Sequence, residues 1–311
     1  MSATTRYIIQ RLLIGVGVVL CVSLVIFGIM QAMPGDPIDL MTSSRVPQEK
    51  VQELRVRWGL DQPVYVQYFL WLSNVLRGDF GVSITTGQDV SYLILQRLPY
   101  TLMLTGVAML LEYAVSIPLG LAAATHKGGA FDRVTNVVMI VLWSMPTFWL
   151  GVLLILVFSV GLHVLPISGY SGPVSLVLPA LSLALPSLAQ TFRLTRSEVL
   201  GVMDMRYVET ARAKGLKSRA VLLRHVLRNA LIPVTVTFFL SLPWLIGGAV
   251  VVENVFAWPG MGQLLWNGIS KQDFPVVQGI VFVISVLTVV CNLVGDLVSG
   301  ALDPRVRIVQ E

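Results

Sequence analysis

The 311-residue chain has few charged side chains and few that bind metals. Asp, Glu, Lys and Arg together make up 13% of its residues, about half of what a soluble domain contains. Hydrophobic residues make up 55%. This composition argues against an ordinary soluble enzyme and predicts a protein that crosses a membrane several times.

The common motifs of catalysis and nucleotide binding are missing as well. None of the five lysines follows a glycine, so the phosphate-binding loop of many ATPases is absent. Neither H-E-x-x-H nor G-x-S-x-G occurs. His126, His163 and His225 lie far apart on both predicted sides of the membrane, whereas Cys21 and Cys291 lie in apolar runs and are expected to be inert packing residues. We therefore expect no catalysis, no metal site and no bound cofactor.

Apolar runs predict six membrane-spanning helices, each needing about 20 residues. The run 134–192 contains no Asp, Glu, Lys or Arg and is long enough for two crossings, with a turn at His163–Pro173. Pro146 is expected to break the third span, and Pro179 and Pro186 the fourth, because proline removes a backbone donor. The other predicted spans are Leu12–Gly35, Leu98–His126, Asn229–Val252 and Phe274–Gly295. The predicted fold class is an all-α membrane protein.

The positions of Lys and Arg predict the orientation. With the N-terminus inside, the inner segments hold 15 of the 22 basic residues, nine of them between Arg193 and Arg228. Because cytoplasmic loops are enriched in Lys and Arg, both termini are expected in the cytoplasm. This bias accounts for the basic stripe, so membrane lipid is an expected partner and nucleic acid is not. Asp296, near the inner surface, is expected to pair with a neighbouring cation.

The inner segment between the fourth and fifth spans is unusually basic. Met205–Lys214 and Lys217–Leu231 each predict a helix, with Gly215 in the left-handed conformation between them and Ser218 available as a cap. Cationic and polar residues share one face of the second helix, and apolar residues occupy most of the other. Two interpretations follow: an interfacial helix that binds anionic lipid, or a docking element for a soluble cytoplasmic partner.

Two outer segments are predicted. Residues 36–97 form an external insertion with short helices at Val51–Trp58 and from Pro63 to about Leu76, followed by a turn at Arg77–Ser83. Glu253–Gly262 mixes aromatic side chains with a Pro-Gly turn. This second segment is expected either to lie at the membrane face or to dip inward where protein lines a cavity.

The inner segment resembles a known signature. Glu209-Thr-Ala-Arg-Ala-Lys-Gly215 resembles the EAA loop of bacterial ABC importer permeases, in which Glu-Ala-Ala is followed after three residues by Gly. Thr210 departs from that pattern, and Arg228 stands where the family has a proline. Further stretches resemble, in order, the DppB/OppB-type permease subunit of dipeptide and oligopeptide importers. They are Arg6–Leu13, Pro34–Pro37, Gly59–Pro63, Arg77–Ser83, Val252–Phe256, Pro259–Gly262 and Leu302–Val306.

This resemblance implies the type I ABC importer permease fold, with six transmembrane helices and an external helical insertion after helix 1. The expected organisation is 1–35 for the N-terminus and helix 1, 36–97 for the insertion and 98–311 for helices 2–6. The loop 197–230, chiefly its part 205–230, would sit in a groove of a separate ATP-binding subunit. Its coupling residues would be Glu209, Ala211, Arg212, Lys214, Gly215, Arg224 and His225.

The resemblance also implies the partners. They are a second, C-type permease, two ATP-binding subunits that hold ATP and Mg, and an extracytoplasmic peptide-binding protein, assembled in the bacterial inner membrane. The implied function is ATP-driven peptide import. Relatives in this branch also import nickel, glutathione, opines or oligosaccharides, so these substrates remain alternatives.

Five residues are candidates for the translocation path or its gate. Glu112 lies near the middle of the second span, where a charge is costly and usually faces a cavity or a partner. A structural pair or hydrogen-bond anchor is the alternative for this side chain. Pro146 and Phe148 lie at the expected break in the third span, and Glu253 and Pro259 lie in the outer loop.

Two other classes of membrane protein fit the sequence less well. A secondary transporter would show inverted repeats and polar clusters inside the membrane, whereas this chain has one clear mid-span acid and no evident repeat. A structural membrane anchor would leave the EAA-like loop unexplained.

Overall fold

A computed structural model describes residues 3–32 and 61–302, and most of this part is helical. The helices are α1 (Ala3–Ala32), α2 (Val64–Leu76), α3 (Val90–Thr125), α4 (Ala130–Ser144), α5 (Thr147–Leu154), α6 (Val177–Met203), α7 (Arg206–Ala213), α8 (Arg228–Val255), α9 (Met261–Ser270) and α10 (Phe274–Leu302). A π-helical segment, Ile155–Gly161, extends α5, and a 3-10 turn, Pro173–Leu176, precedes α6. One α-helical turn, Ser218–Ala220, and a π-helical segment, Val221–Leu227, lead directly into α8.

Within the described ranges, five helical stretches are long and apolar enough to cross a bilayer, and a bent pair makes six if it counts as one span. The five belong to α1, α3, α6, α8 and α10. The bent pair is α4 with the extended α5, which meet at 105° around Pro146. Met145 is extended, with ψ 127°, because a residue that precedes proline is disfavoured in the helical region. The expected break at Pro146 is therefore confirmed.

The fourth span differs from the prediction. Pro179 and Pro186 do not break it, since both lie within the continuous helix α6. Pro179 lies in the first turn, where a missing backbone donor costs little. The helix also continues past Phe192 to Met203, so Arg193 and Arg196 are helical residues rather than loop residues.

Helices α3 and α6 form the closest packed pair at the centre of the molecule. A methyl group at Gly120 would lie 2.9 Å from the Cβ of Thr195, so the backbones approach as closely as glycine allows. Lipid supplies little hydrophobic driving force between helices, and close contact between small residues holds such pairs together. A buried cluster around Leu104, Leu183 and Val252 joins α8 to this pair.

Among the described residues, two ion pairs tie together the helix ends on the side predicted to face the cytoplasm, which is called inner below, the opposite side being called outer. The Asp132 carboxylate accepts hydrogen bonds from Arg196 Nε at 2.6 Å and Nη2 at 2.8 Å, which fastens α4 to α6. The backbone N–H of Gly128 and the side chain of Asn136 donate to the same carboxylate. At the last helix, Asp296 lies 3.3 Å from Arg11, so the expectation that it pairs with a cation is confirmed.

The outer side has a small folded cap. Helix α2 packs against α1 through a hydrogen bond between Tyr68 and Ser23 at 2.8 Å. The chain then turns through Gly78 and Gly81, both with positive φ, and this confirms the turn expected there. The buried Asp273 carboxylate, between α9 and α10, accepts from the side chains and backbone N–H groups of the segment 83–85. One carboxylate thus anchors the cap to the last two helices.

Some predictions concern residues outside the described ranges. They are the helix at Val51–Trp58 and the family-like stretch Pro34–Pro37. The stretch Leu302–Val306 lies outside them too, except for Leu302. The predicted helix after Pro63 is confirmed as α2, Val64–Leu76.

Replacing Asp132 with Ala is expected to lower the free energy of unfolding by about 3 kcal/mol, because the Arg196 guanidinium then loses its carboxylate partner in a mostly buried site. The measurement is the thermal unfolding midpoint of the purified protein in detergent. Asp61→Ala is the matched control, since that acid is exposed and its loss should change the midpoint little. Equal midpoints for both variants would contradict the proposed anchoring.

Replacing Asp273 with Ala is expected to release the outer cap from α9 and α10. Hydrogen exchange at the amides of Ile84 and Thr85 should become faster, because both amides donate to that carboxylate. Asp89→Ala is the control, since Asp89 is exposed and makes no side-chain capping bond. Unchanged protection in Asp273→Ala would show that other contacts hold the cap.

Candidate coupling site and outer loop

The inner segment folds as the sequence predicts, with one exception. Helix α7 ends at Ala213, Gly215 takes φ +77°, and a second helix begins at Ser218 and runs through the π-helical segment into α8. A φ in this region favours glycine over residues with a side chain. The expected cap at Ser218 is absent, since no side-chain capping bond forms there.

One side of this segment is buried against the inner ends of α3 and α6. The cluster is apolar and well packed, which makes the segment a fixed part of the membrane domain. The Tyr207 hydroxyl accepts a hydrogen bond from Asn229 at 2.9 Å, which links α7 to the start of α8. The buried side chains are Ala124, Val199, Val202, Val208, Ala211, Val221, Val226 and Ala230.

The opposite side is exposed and combines positive charge with apolar side chains. Among the predicted coupling residues, Ala211 is buried and supports the surface from below, and His225 is half-buried. Exposed large apolar side chains on the segment are Met205, Tyr207, Leu216 and Leu223. The other predicted residues, Glu209, Arg212, Lys214, Gly215 and Arg224, are all exposed. We call the exposed part of 205–229 the inner knob.

A concavity of about 260 Å³ lies beneath the inner knob. It reaches from Thr125, at the end of α3, to Met203, at the end of α6, and its other wall is the start of the helix that becomes α8. π-Helical segments such as Val221–Leu227 are rare and often lie at functional sites. The inner knob therefore rests on a packed base with open space at one edge.

Glu112 occupies a buried position between α3 and α6. Its Oε1 accepts a hydrogen bond from the Thr191 hydroxyl at 2.6 Å. Its Oε2 and the hydroxyl of Ser116, one turn further along α3, have no partner among the described residues. The side chain does not face an open channel in this conformation, and its contact with Thr191 ties the two central helices together.

Pro146 and Phe148 lie at the elbow between α4 and α5. The elbow borders an open, apolar concavity of about 530 Å³. Both residues line it and are exposed. Its other lining residues are Ile140, Val141, Ser144, Met145 and Trp149.

The outer loop is organised by Glu253, which is fully buried. Its carboxylate accepts from Thr101 Oγ1 at 2.6 Å, Gly262 N at 2.6 Å and Gln263 N at 3.1 Å. The last two are first-turn N–H groups of α9, which have no partner within the helix. Glu253 therefore caps α9 from the end of α8.

The rest of this loop packs against neighbouring helices. Trp258 is fully buried and donates a hydrogen bond from Nε1 to the Tyr100 carbonyl at 3.0 Å. The loop carbonyl of Phe256 accepts from Gly169 N at 2.8 Å, and Pro259 is half-buried. Aromatic side chains thus fill protein interior, so the loop is a packed element rather than a simple belt at the membrane surface.

Sequence reasoning missed two groups in this loop. Thr101 accepts from Met261 N at 2.8 Å while it donates to Glu253, so it bridges α3 and α9. Gly262 leaves no space for a side chain, because a methyl group there would overlap the Cα of Val250 and the Glu253 carboxylate. A lone threonine in an apolar run gives no signal of this role, and the glycines of Pro259–Gly262 were interpreted only as a turn.

Comparison with known proteins identifies the family. Residues 116–308 match the family described as "Binding-protein-dependent transport system inner membrane component", and residues 4–105 match the corresponding N-terminal family. The chain belongs to this family of transport permeases. Its DppB/OppB-type character, expected from the motifs, is confirmed by the relatives below.

The relatives match over nearly the full length of the chain. The oligopeptide transport system permease protein AppB of Bacillus subtilis is 40% identical over 97% of this chain and 99% of its own length. A probable peptide ABC transporter permease, y4tP of Sinorhizobium fredii, is 36% identical over the same shares. The glutathione transport system permease protein GsiC of Salmonella choleraesuis is 37% identical, again over 97% and 99%.

Solved structures agree on the fold. A chain from inward-facing conformations of the MetNI methionine ABC transporter matches with a TM-score of 0.56 at 18% identity, covering 68% of this chain and 97% of that one. A chain of an amino acid ABC transporter matches with a TM-score of 0.52 at 16% identity, over 68% and 94%. The type I importer permease fold predicted from the resemblance is confirmed.

Replacing Gly262 with Ala is expected to displace Glu253 from the start of α9 and to lower the thermal unfolding midpoint, because the added methyl meets backbone that cannot move freely. Gly106→Ala is the matched control, since nothing lies within 4 Å of that added methyl and alanine favours helix. The comparison is made on purified protein in detergent. A Gly262→Ala variant as stable as Gly106→Ala would contradict the close packing described here.

Proposed function

We propose that this chain is a permease subunit of an ATP-driven peptide importer, that the inner knob receives force from separate ATP-binding subunits, and that the chain itself catalyses no reaction. Transport membership follows from the family. The inner knob is the single observation that best supports the coupling role, because its form suits a mechanical contact better than a lipid contact.

The physical argument concerns how force would be transmitted. A lipid-bound helix needs only an apolar face in the membrane and cations near the headgroups. The segment that carries the inner knob instead buries most of its apolar residues against α3 and α6. On the inner knob itself, Leu216 and Leu223 remain exposed beside cations. Exposed apolar side chains beside charges are typical of a protein interface. A partner that moves this surface would move the inner ends of α3, α6 and α8 with it.

The proposed assembly contains two different permeases, two ATP-binding subunits with ATP and Mg, and an extracytoplasmic peptide-binding protein, with both termini of this chain in the cytoplasm. This orientation places the inner knob on the side where ATP is available, and the basic bias of the inner segments supports it. ATP-driven closure of the ATP-binding subunits would then open the path toward the docked binding protein.

The candidate path residues differ in exposure; they are Glu112, Pro146, Phe148, Glu253 and Pro259. Pro146 and Phe148 are the two that border open space.

Glu209→Lys and Gly215→Asp are each expected to abolish peptide uptake while the protein remains in the membrane. The first reverses a charge on the exposed surface, and the second forces a side chain into a left-handed position. The measurement is uptake of a radiolabelled peptide by vesicles that contain the complete transporter, with the amount of permease quantified in parallel. Normal uptake by both variants would refute the coupling assignment.

Cys21→Ala and Cys291→Ala serve as controls in the same assay. Both thiols are free and lie on α1 and α10, outside the segment that forms the inner knob, so both variants should transport as the unmodified protein does. Peptide-stimulated ATP hydrolysis by the purified complex tests the energy source. Transport by this chain alone in liposomes without ATP would instead indicate a secondary transporter.

Glutathione is a second candidate substrate, because the GsiC relative, at 37% identity, is as similar to this chain as the y4tP peptide permease, at 36%. Glutathione is itself a tripeptide, so the same path would accept it. Competition between labelled trialanine and unlabelled glutathione in the uptake assay distinguishes a peptide importer from a glutathione importer.

A further inference from the structure

Arg193 and its neighbour Arg196 lie one turn apart on α6 but have different surroundings. Arg196 pairs with Asp132. Arg193 is half-buried and has no carboxylate partner among the described residues, and its guanidinium lies over an aromatic ring instead. A cation in a membrane span is costly unless it faces a cavity, a polar path or a partner.

The ring that Arg193 contacts is Trp143 of α4. The guanidinium carbon lies 4.3 Å from the ring centroid, a distance typical of a cation–π contact. Such a contact uses the face of the planar guanidinium. The N–H groups along its edge remain available, and their fork geometry matches a carboxylate.

The pair lies well inside the membrane by helix length. Trp143 is about 20 Å along α4 from Ala130 at the inner end. The Arg193 guanidinium meets the Trp143 ring, although the backbone of Arg193 is only one turn from Arg196, which pairs with Asp132 near that end. Half of the hydrocarbon core is about 15 Å thick. A lipid phosphate at the inner surface would therefore lie far from the Trp143 ring.

The surroundings suit a short peptide. Trp143 is 53% exposed, and the residue after it, Ser144, lines the apolar concavity of about 530 Å³ at the elbow. This volume falls in the range of small-molecule sites. Phe148 and Trp149 line the same concavity and are exposed, so the elbow that follows Trp143 offers apolar partners for peptide side chains.

We propose that Arg193, stacked on Trp143, binds the C-terminal carboxylate of the transported peptide inside the membrane. This inference rests on the proposed function. The carboxylate would approach the free edge of the guanidinium, and the peptide side chains would lie along the elbow. The cation would replace part of the hydration that the carboxylate, one of the two charges of a free peptide, loses on entering the membrane.

The test is uptake by proteoliposomes that contain the complete transporter. Two substrates are compared, trialanine with a free carboxylate and an alanine peptide whose C-terminus is amidated. The purified binding protein is first shown to bind the amidated peptide. Arg193→Gln should lower uptake of the free acid by about tenfold or more, as expected for the loss of a charge-assisted hydrogen bond. Uptake of the amide should change little, and Arg193→Lys should retain part of the activity on the free acid. Arg133→Gln, an exposed inner-surface arginine, should behave as the unmodified protein does.

Several outcomes would overturn the inference. An equal loss on acid and amide would show that Arg193 supports the structure rather than the carboxylate. Loss of the second permease from purified Arg193→Gln complexes would assign the residue to a subunit contact. Restoration of Arg193→Gln by adding phosphatidylglycerol to phosphatidylcholine vesicles would assign it to lipid. Failure of the unmodified transporter to move any peptide would refute the proposed function instead.

Thiol labelling gives a second measurement that needs no amidated peptide. In a Cys21→Ala, Cys291→Ala background, Arg193→Cys is treated with a water-soluble methanethiosulfonate reagent in the complete transporter during ATP turnover. Trialanine delivered by the binding protein should slow the labelling. Labelling at the same rate with and without peptide, or no labelling at all, would show that this position lies outside the peptide path.

Discussion

The structure depends on the need to match every polar group inside a bilayer, where no water can replace a missing partner. Helices satisfy the backbone, and a few side-chain contacts satisfy most buried polar side chains of the described residues, with Glu112 Oε2 and the Ser116 hydroxyl as exceptions. Asp132 receives four hydrogen bonds at the inner end, and Glu253 receives three at the outer end. These carboxylates join elements that are distant in sequence, so they set where α4 and α9 lie against the central pair, α3 and α6.

The central pair links the inner knob, the proposed coupling surface, to the outer loop. At its inner end it provides the apolar base of the inner knob through Ala124, Val199 and Val202. Toward the outside, α3 contacts the loop that Glu253 organises through Thr101. Close packing at Gly120 leaves little freedom between the two helices. A force applied at the inner knob would therefore move them together, which is what coupling to a distant gate requires.

The elbow at Pro146 is the region where the described part of the chain is least self-contained. Its aromatic side chains Trp143, Phe148 and Trp149 are exposed, and Arg193, which lies over Trp143, has no carboxylate partner among the described residues. An exposed apolar surface near such a cation suits a ligand that is both polar and apolar. A peptide with a free carboxyl end has both features, and this chemistry connects the proposed path to the proposed substrate.

The sequence by itself determined the helices, the elbow at Pro146, the left-handed turn at Gly215 and the family, because these follow from local hydropathy, backbone sterics and short motifs. Only the tertiary structure decided that Glu253 caps α9, that Thr101 bridges α3 and α9, and that Arg196 is paired whereas Arg193 is not. Those roles depend on residues 9 to 160 positions away. A pattern along one helix specifies which face is apolar, but it does not specify which distant donor or carboxylate will meet it.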